Sequence, residues 1–259
     1  MTLPIMPARV STKTSLRGPA SAAPPNPALR RRARAIAHRL REFMGHPMHA
    51  LELSPLDSLI GTILSQNTSD VNSGRAYDSL KARFPTWQAV LRAPEAELAQ
   101  AIHSGGLENI KSARIQQVLL RLAQERGELS LDFLRDLPAE EARRYLLTVP
   151  GVGMKTASCV LLFSLGRPAC PVDTHVLRVT KRLGLISPRT TMDQAHAKLE
   201  SLLAAQDMLP FHLGLVRVGR QVCAPRRPRC DACLLDDLCP KVSVPNSSRP
   251  PAKVEGASD

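Results

Sequence analysis

Four cysteines near the C-terminal end of the chain are close enough in sequence to bind one metal centre. They follow the spacing C-x6-C-x2-C-x5-C within 17 residues: Cys223, Cys230, Cys233 and Cys239. A structural zinc site or a pair of disulfides would also use four cysteines. Zinc sites typically pair two short C-x2-C knuckles, and only one such knuckle is present here. The unequal spacings on a single loop therefore suit a [4Fe–4S] cluster better than zinc.

A lysine follows a glycine-rich turn whose backbone could approach a phosphate. The segment VPGVGMKTA, residues 149–157, contains Gly151 and Gly153, and Lys155 comes two residues after the second glycine. Glycine permits positive φ and close approach, so amides at the start of the next helix can face an anion. Only a neutral lysine amine is a nucleophile, and the positive end of a helix dipole disfavours the ammonium form. An ordinary αα-hairpin with a solvated lysine is the alternative interpretation.

A carboxylate 18 residues after Lys155 could assist the same chemistry. Asp173 lies in the segment VDTHVLR, residues 172–178, where it is placed to N-cap the following helix. A carboxylate beside Lys155 would favour the charged amine, so simple activation is not its use. It would instead stabilise positive charge that develops on a sugar ring, or transfer a proton. Capping alone would also explain Asp173.

The distribution of positive charge allows nucleic acid binding without requiring it. The formal net charge is +12, but Met1–Arg41 holds nine basic residues and no acidic one, which leaves +3 on residues 42–259. Three arginines, Arg226, Arg227 and Arg229, lie between the first two cysteines. Metal ligands at both ends would hold this loop in place. We therefore expect the loop to contact phosphates, although such a run of charge is often only a solvated surface.

The elements that must position these residues are predicted to be helices. Residues 1–27 and 241–259 lack apolar periodicity and are predicted to be a disordered tail and a flexible tail. Between them apolar residues recur at helical spacing, Ser54–Pro55 predicts a helix start, and Gly127 predicts a helix end. The apolar run 160–165 could be a short strand, but it lies between helical patterns and is predicted to be helical. The sequence therefore predicts an all-α fold.

Taken together, these motifs resemble the endonuclease III family of helix-hairpin-helix DNA glycosylases. The resemblance rests on the order and spacing of the glycine hairpin, Lys155, Asp173 and the four-cysteine loop, and it covers most of the chain between the two tails. It implies two helical domains that flank a DNA-binding cleft. Residues 48–167 would form a six-helix domain that ends in the helix-hairpin-helix, and residues 28–47 with 168–240 would form the iron–sulfur cluster domain.

The resemblance also implies a reaction. Lys155 would attack C1′ of a flipped nucleotide and form a Schiff base, Asp173 would assist, and β-elimination would nick the strand. The expected substrates are oxidised pyrimidines such as thymine glycol. The family commonly fills the vacated space with the Gln of a Leu-Ser-x-Gln pattern. Here Asn67 holds that position, so Gln66 could take over or the preference for the opposite base could differ.

Residues that would contact DNA also follow from the resemblance, and Leu107 among them would be an apolar wedge that enters the base stack. The expected set is Gln66, Asn67, Leu107, Gly151, Gly153, Arg226, Arg227 and Arg229. The expected partner is double-stranded DNA with a damaged base or an abasic site, the expected cofactor is the [4Fe–4S] cluster, and a monomer is expected.

The location and two rival functions complete the expectations. No stretch approaches the roughly 20 apolar residues of a membrane span, so the chain is expected in the cytoplasm, near the bacterial nucleoid. An organelle transit peptide would also fit the arginine-bearing N-terminal tail. One rival function is a monofunctional mismatch glycosylase, which lacks the attacking lysine. The other is an iron–sulfur protein that binds DNA without catalysis.

Overall fold

The computed structural model describes residues 26–45 and 53–245, and the regular elements there are helices. The α-helices are α1 (Pro27–Met44), α2 (Pro55–Ser65), α3 (Asp70–Arg83), α4 (Trp87–Arg92), α5 (Glu95–Ala101), α6 (Glu108–Arg126), α7 (Ala139–Thr148), α8 (Met154–Phe163), α9 (Thr174–Arg182), α10 (Met192–Leu202) and α11 (Met208–Gln221). Single 3₁₀ turns connect several of them. No strand lies within the described residues, and the predicted all-α fold is confirmed.

Side chains that cap free backbone amides explain where several helices begin. Ser54 Oγ accepts a hydrogen bond from the backbone amide of Asp57 at 3.1 Å, at the predicted start of α2. Asp173 Oδ1 accepts from the amide of Val176 at 2.7 Å and starts α9. Helix α6 ends at Gly127, whose φ of 72° is the left-handed conformation that glycine adopts without steric cost. These three boundaries follow the sequence signals.

Two helical details differ from or extend the sequence predictions. The described part of residues 48–167 contains seven α-helices rather than six, because Trp87–Arg92 forms a short helix of its own. The apolar run 160–165 was ambiguous between strand and helix. Helix α8 includes it as far as Phe163, so the helical prediction is confirmed.

Folded structure extends a short way into both predicted tails. Helix α1 begins at Pro27, with Asn26 as its N-cap. In the predicted C-terminal tail, the backbone amide of Val242 donates to the carbonyl oxygen of Arg182 at 3.1 Å. The remainder of both predicted tails lies outside the described residues. Among the helices of residues 26–45 and 53–245, none is long and apolar enough to cross a membrane.

The helices bury two hydrophobic cores. Apolar side chains of α2 to α8 form the first core, to which Met208 also belongs. Side chains of α1, α9, α10 and α11 form the second, together with Leu235 of the cysteine loop. The N-terminal helix therefore packs against elements from the other end of the chain. The division into two domains stays a prediction, because it depends on whether each group of helices folds as a unit.

A buried ion pair joins the two groups of helices. Arg143 of α7 is 6% exposed, and its Nη2 donates to Oε1 and Oε2 of Glu200 in α10 at 3.1 and 3.2 Å. Glu200 Oε1 also accepts from the backbone amide of Cys170 at 3.0 Å. A buried charge is tolerated only when it is paired and hydrogen-bonded. These bonds therefore fix the position of α10 relative to α7.

We expect Gly214→Ala to destabilise the second core. A Cβ at position 214 would lie 2.8 Å from Leu40 Cδ2 and 3.1 Å from Leu40 Cβ, between α11 and α1. Overpacking of this kind typically costs about 1–3 kcal/mol. The control is Gly74→Ala in α3, where a Cβ would meet nothing within 4 Å. That change should raise stability by up to about 1 kcal/mol through helix propensity. Urea unfolding monitored by circular dichroism would measure both, and equal effects would contradict the packing described here.

Candidate active-site cleft and cysteine cavity

A cleft of about 860 Å³ lies between the two groups of helices. Residues of α2, the turn after it, α3 and α8 line one side of the cleft, and residues of α9, α10 and α11 line the other. Ligand pockets in proteins typically measure about 300–1,000 Å³. The cleft therefore has the size of a site for a nucleotide-sized group, and both Lys155 and Asp173 line it.

Lys155 lies in the first turn of α8, directly after the glycine hairpin. Helix α8 begins at Met154 with Gly153 as its N-cap, and Gly151 has a φ of 73°. The positive φ requires glycine at this tight turn. One helical turn after Lys155, the thiol of Cys159 is buried and also lines the cleft. Burial raises the pKa of Cys159, and the neighbouring Lys155 amine opposes that shift.

Asp173 reaches the cleft from the start of α9. Its Oδ1 accepts from the amide of Val176, so the capping role considered from the sequence is present. A carboxylate has a second oxygen with its own lone pairs, and the capping hydrogen bond does not use it. Lys155 and Asp173 come from different helices and meet the same cleft. The fold thus brings together the two residues that sequence spacing singled out.

His212 of α11 is a buried imidazole at the same cleft. Its Nδ1 lies 2.8 Å from the carbonyl oxygen of Pro171, to which it donates, and its ring meets that of Phe163 edge-on at 5.6 Å between centroids. Desolvation by burial lowers the pKa of His212 to about 4, although the Asp173 carboxylate opposes the shift. His212 is therefore neutral near neutral pH and adds no positive charge to the cleft.

The turn after α2 orients Gln66 and Asn67 differently. Gln66 Oε1 accepts from Arg114 Nη1 at 2.8 Å, and its Nε2 lies 3.4 Å from Thr156 Oγ1 at the start of α8. Asn67 is exposed and has a φ of 54°, a left-handed conformation that asparagine tolerates better than most residues. Gln66 is thus engaged with the hairpin region, whereas Asn67 is presented at the cleft.

Leu107 is exposed at the start of α6. Its side chain and backbone together are 48% exposed, its φ is 52°, and it follows Gly106 with a φ of 67°. A leucine is unusual in the left-handed region because its Cβ clashes with the backbone there. Leu107 does not line the cleft itself. An apolar side chain held outward in this way is available to a partner.

The four cysteines of the C-terminal loop surround one small cavity of about 20 Å³. All four are free thiols, and burial raises the pKa of Cys239 to about 11. Arg182 of α9 also lines the cavity, and its Nη1 lies 3.2 Å from Cys223 Sγ. Within the described part of the chain no three side chains stand in a ready metal-binding arrangement. The donor set and the shared cavity nevertheless fit a centre with thiolate ligands.

The arginines between the first two cysteines are exposed and lie outside the cleft lining. Arg229 Nη2 donates to the carbonyl oxygen of Gln221 at 2.5 Å, which ties the loop to the end of α11. The structure therefore places these arginines on the surface beside the cysteine cavity, apart from Lys155 and Asp173.

An ion pair at the cleft was not anticipated from residue types. Arg220 of α11 binds Asp70 of α3 through both Nη atoms, with Nη2 at 2.9 Å from Oδ1. The Arg220 guanidinium lowers the pKa of Asp70. The pair connects helices of the two cores, and both residues line the cleft. Their opposite charges are 150 positions apart in the chain, so nothing in the sequence alone pairs them.

Comparison with known proteins agrees with this geometry. Residues 60–205 match the HhH-GPD superfamily of base excision DNA repair proteins. Endonuclease III of Escherichia coli strain K12 is 34% identical over 206 residues, which are 79% of this chain and 92% of that protein. The chain belongs to the endonuclease III family. As a member, it is a base excision DNA repair enzyme of the glycosylase class.

One further relative and one solved structure extend the comparison. A putative DNA glycosylase of Arabidopsis thaliana is 40% identical over 197 residues, which are 74% of this chain and 66% of that protein. The solved structure of a trapped endonuclease III–DNA covalent intermediate superimposes with a TM-score of 0.70 at 27% identity, over 81% of this chain and 95% of that one. This chain therefore has the fold of endonuclease III, as the resemblance predicted.

The buried state of His212 should make the stability of this endonuclease III family member depend on pH. The imidazole has a pKa of about 4 in the folded protein and about 6.5 in the unfolded chain. Below about pH 6.5 the unfolded chain binds more protons, so this contribution to stability is complete above that pH and is lost as the pH falls towards 4. The loss from about pH 7.5 to about pH 5 should reach roughly 2 kcal/mol.

His212→Asn would test this dependence, because asparagine keeps a donor near the position of Nδ1 but does not titrate. Urea unfolding at both pH values should show a flatter dependence in this variant. His38→Asn is the control, since His38 is exposed on α1. His196, whose pKa burial also lowers, leaves a residual slope in every variant. A wild-type slope in His212→Asn would contradict the assignment.

Proposed function

We propose that the enzyme is a bifunctional DNA glycosylase and abasic-site lyase that removes oxidised pyrimidines from duplex DNA. The observation that carries this proposal is the convergence of Lys155 and Asp173 on one cleft of nucleotide-compatible size. An amine is needed for a lyase that works through a Schiff base, and a monofunctional glycosylase has no use for it. The family relationship supports the same class of reaction.

The reaction begins with a nucleotide rotated out of the stack, because C1′ cannot be reached inside a duplex. The Lys155 amine attacks C1′, a C–N bond forms, and the N-glycosidic bond breaks so that the base leaves with the bonding electrons and gains a proton. Opening of the sugar ring converts the adduct to an imine. Removal of a C2′ proton then expels the 3′ phosphate, which is the β-elimination that cuts the strand.

Asp173 is suited to stabilise the positive charge that develops on the sugar during base loss. The hydrogen bond from Val176 and the packing of α9 hold the carboxylate before substrate arrives. Preorganised charge is effective because little reorganisation is needed during the reaction. Neutral His212 beside it does not cancel that charge. These contacts support Asp173 as the second catalytic residue.

Damaged double-stranded DNA is the proposed partner of a monomeric enzyme. Leu107 would enter the base stack, and Asn67 would occupy the space that the flipped nucleotide leaves. Gln66 is proposed to orient this turn, since Arg114 and Thr156 already engage its amide. The amides at Gly151 and Gly153 and the exposed Arg226, Arg227 and Arg229 would contact phosphates. Because asparagine is one methylene shorter than glutamine, the preferred opposite base is the property that Asn67 most affects.

A [4Fe–4S] cluster is the proposed cofactor, held by Cys223, Cys230, Cys233 and Cys239. The shared cavity and the free thiols support this assignment. When bound, the cluster would hold the loop in one conformation and so preorganise the arginines between its first two ligands. Arg182 would donate a charge-assisted hydrogen bond to the Cys223 thiolate.

Borohydride trapping would test the proposed chemistry. Borohydride reduces an imine to a stable amine, so the wild type should give a covalent protein–DNA band with a thymine glycol duplex. Lys155→Gln should give no band, because an amide cannot form the imine. Lys198→Gln is the matched control, since Lys198 is exposed on α10 and does not line the cleft. Asp173→Asn keeps a good N-cap and should slow trapping by about 10²–10⁴-fold.

Other outcomes distinguish the rival functions. A band with an abasic site but none with thymine glycol would keep the lyase and change the substrate. Release of base without a band on any substrate would indicate a monofunctional glycosylase. Specific DNA binding with neither reaction would indicate a non-catalytic protein, and a band that survives Lys155→Gln would assign the nucleophile to another residue.

The cofactor assignment has its own test. Purified protein should contain iron and acid-labile sulfide in equal amounts, with broad visible absorption. Cys230→Ser should lose both, because one of the four thiolate ligands is missing. Cys170→Ala is the control, since Cys170 is buried in the second core away from the cavity. A colourless protein with one zinc per chain would replace the cluster by a zinc site.

A further inference from the structure

Lys111 of α6 is a buried lysine that the proposed reaction does not use. It is 1% exposed, and its Nζ donates to the carbonyl oxygens of Leu64 at 2.7 Å and Gly105 at 2.8 Å. Lysines are almost never fully buried unless they are paired. Here two backbone carbonyl oxygens supply the partners. Because burying a charge costs free energy, we infer that these two hydrogen bonds serve a purpose beyond filling the core.

The two carbonyl groups come just before the two loops that are proposed to enter the DNA. Leu64 lies near the end of α2 and precedes the Gln66–Asn67 turn by two residues. Gly105 precedes Leu107 by two residues. The Nζ atom of Lys111 therefore binds the backbone at the start of both loops. No other contact described above connects them so directly.

Both loops hold a residue in a conformation that costs energy. Asn67 has a φ of 54° and Leu107 a φ of 52°, whereas residues other than glycine rarely adopt positive φ. A residue other than glycine keeps this conformation only where neighbouring contacts impose it. The carbonyl groups that Lys111 binds lie two or three residues before these strained positions. Lys111 is thus placed to hold both residues in the left-handed conformation.

Arg114, one turn further along α6, holds the same turn from a second side. Its Nη1 donates to Gln66 Oε1, and its guanidinium packs against the hairpin, so that a Cβ at Gly151 would lie 2.1 Å from Arg114 Nε. Helix α6 therefore contacts the loop that carries Leu107, the Gln66–Asn67 turn and the glycine hairpin. Among these contacts only Lys111 reaches both loops.

We propose that Lys111 is a positioning residue for nucleotide flipping. By binding both carbonyl oxygens it fixes Leu107 and Asn67 relative to each other, so that wedge and gap-filling residue enter the duplex as one preformed unit. This role rests on the function proposed above, because it requires DNA as the partner. Lys111 touches neither the sugar nor the reacting atoms.

Lys111→Met removes the donors while keeping the length and apolar stem of the side chain. Two readouts separate flipping from chemistry. The first is fluorescence of 2-aminopurine placed opposite a tetrahydrofuran abasic analogue, which rises when the stack is opened. The second is the rate of borohydride trapping at an abasic site in duplex, compared with an abasic site in a short unpaired bubble, where no stack has to be opened.

We expect Lys111→Met to lose most of the fluorescence rise and to slow trapping in duplex by about tenfold or more, the scale of a lost charge-assisted hydrogen bond. Trapping in the bubble should change less than about twofold. Leu107→Ala should show the same pattern. If Lys111 acts through Leu107, the double variant should be little worse than either single variant, since effects that share one mechanism do not add.

Gln116→Met is the matched control. Gln116 lies on the same helix, and its Nε2 also donates to two backbone carbonyl oxygens, of Val90 at 3.3 Å and Ala93 at 2.7 Å, but these lie around the end of α4. It should lose a similar amount of thermal stability and leave the ratio of duplex to bubble trapping unchanged. Equal slowing on both substrates in Lys111→Met would reduce Lys111 to a structural role and overturn the proposal.

A second variant covers the case in which Lys111→Met does not fold. In Gly105→Ala the added Cβ would lie 3.1 Å from Ala76 Cβ, so that the Gly105 backbone or Ala76 must shift by a few tenths of an ångström, while the buried Lys111 amine is kept. A wild-type fluorescence rise in that variant would also overturn the proposal. Failure of the proposed function gives a different result. If the wild type opens the stack but forms no covalent band, the Schiff-base proposal fails and the proposed role of Lys111 in flipping stands.

Discussion

A hydrogen bond of 2.7 Å from the backbone amide of Val176 to Asp173 Oδ1 starts α9 and fixes the carboxylate of the candidate site. The same helix ends at Arg182, which binds the beginning of the cysteine loop. Midway, Arg178 donates to the carbonyl oxygens of Cys223 at 3.0 Å and Gly219 at 2.8 Å. A nine-residue helix is only about 13 Å long and behaves as a rigid rod. The position of Asp173 therefore depends on how well the cysteine loop and α11 hold α9.

The cleft exists because two hydrophobic cores meet along a polar boundary. Each core buries its own apolar side chains, and charged residues such as Arg143 and Glu200 connect them. At the cleft, Asp70 and Arg220 pair across the same boundary. An exposed ion pair contributes little to stability, so this contact can open at small cost when a polyanion competes for the arginine. The boundary thus combines a fixed buried contact with an exchangeable exposed one.

Local signals in the sequence predicted the helices better than they predicted the site. Ser54, Asp173 and Gly127 mark helix ends through their own side chains or backbone, and such effects need no distant partner. That Lys155 and Asp173 line the same cleft could be expected only from a resemblance, because spacing along a chain does not fix distance in space. No feature of the sequence indicated that Lys111 is buried or which groups it binds. Lysines are usually solvated, and its partner Leu64 lies 47 positions away.

The contact between Arg114 and Gly151 also limits how this protein can change over evolutionary time. The guanidinium occupies the space that any larger residue at position 151 would need. A descendant that replaced the glycine would have to move the Arg114 guanidinium away from the hairpin, and would also place a side chain at a φ of 73°. Moving the guanidinium would break its hydrogen bond to Gln66 as well. Three positions on separate helices and turns should therefore covary among relatives, and an inherited change at one would restrict which changes at the others survive.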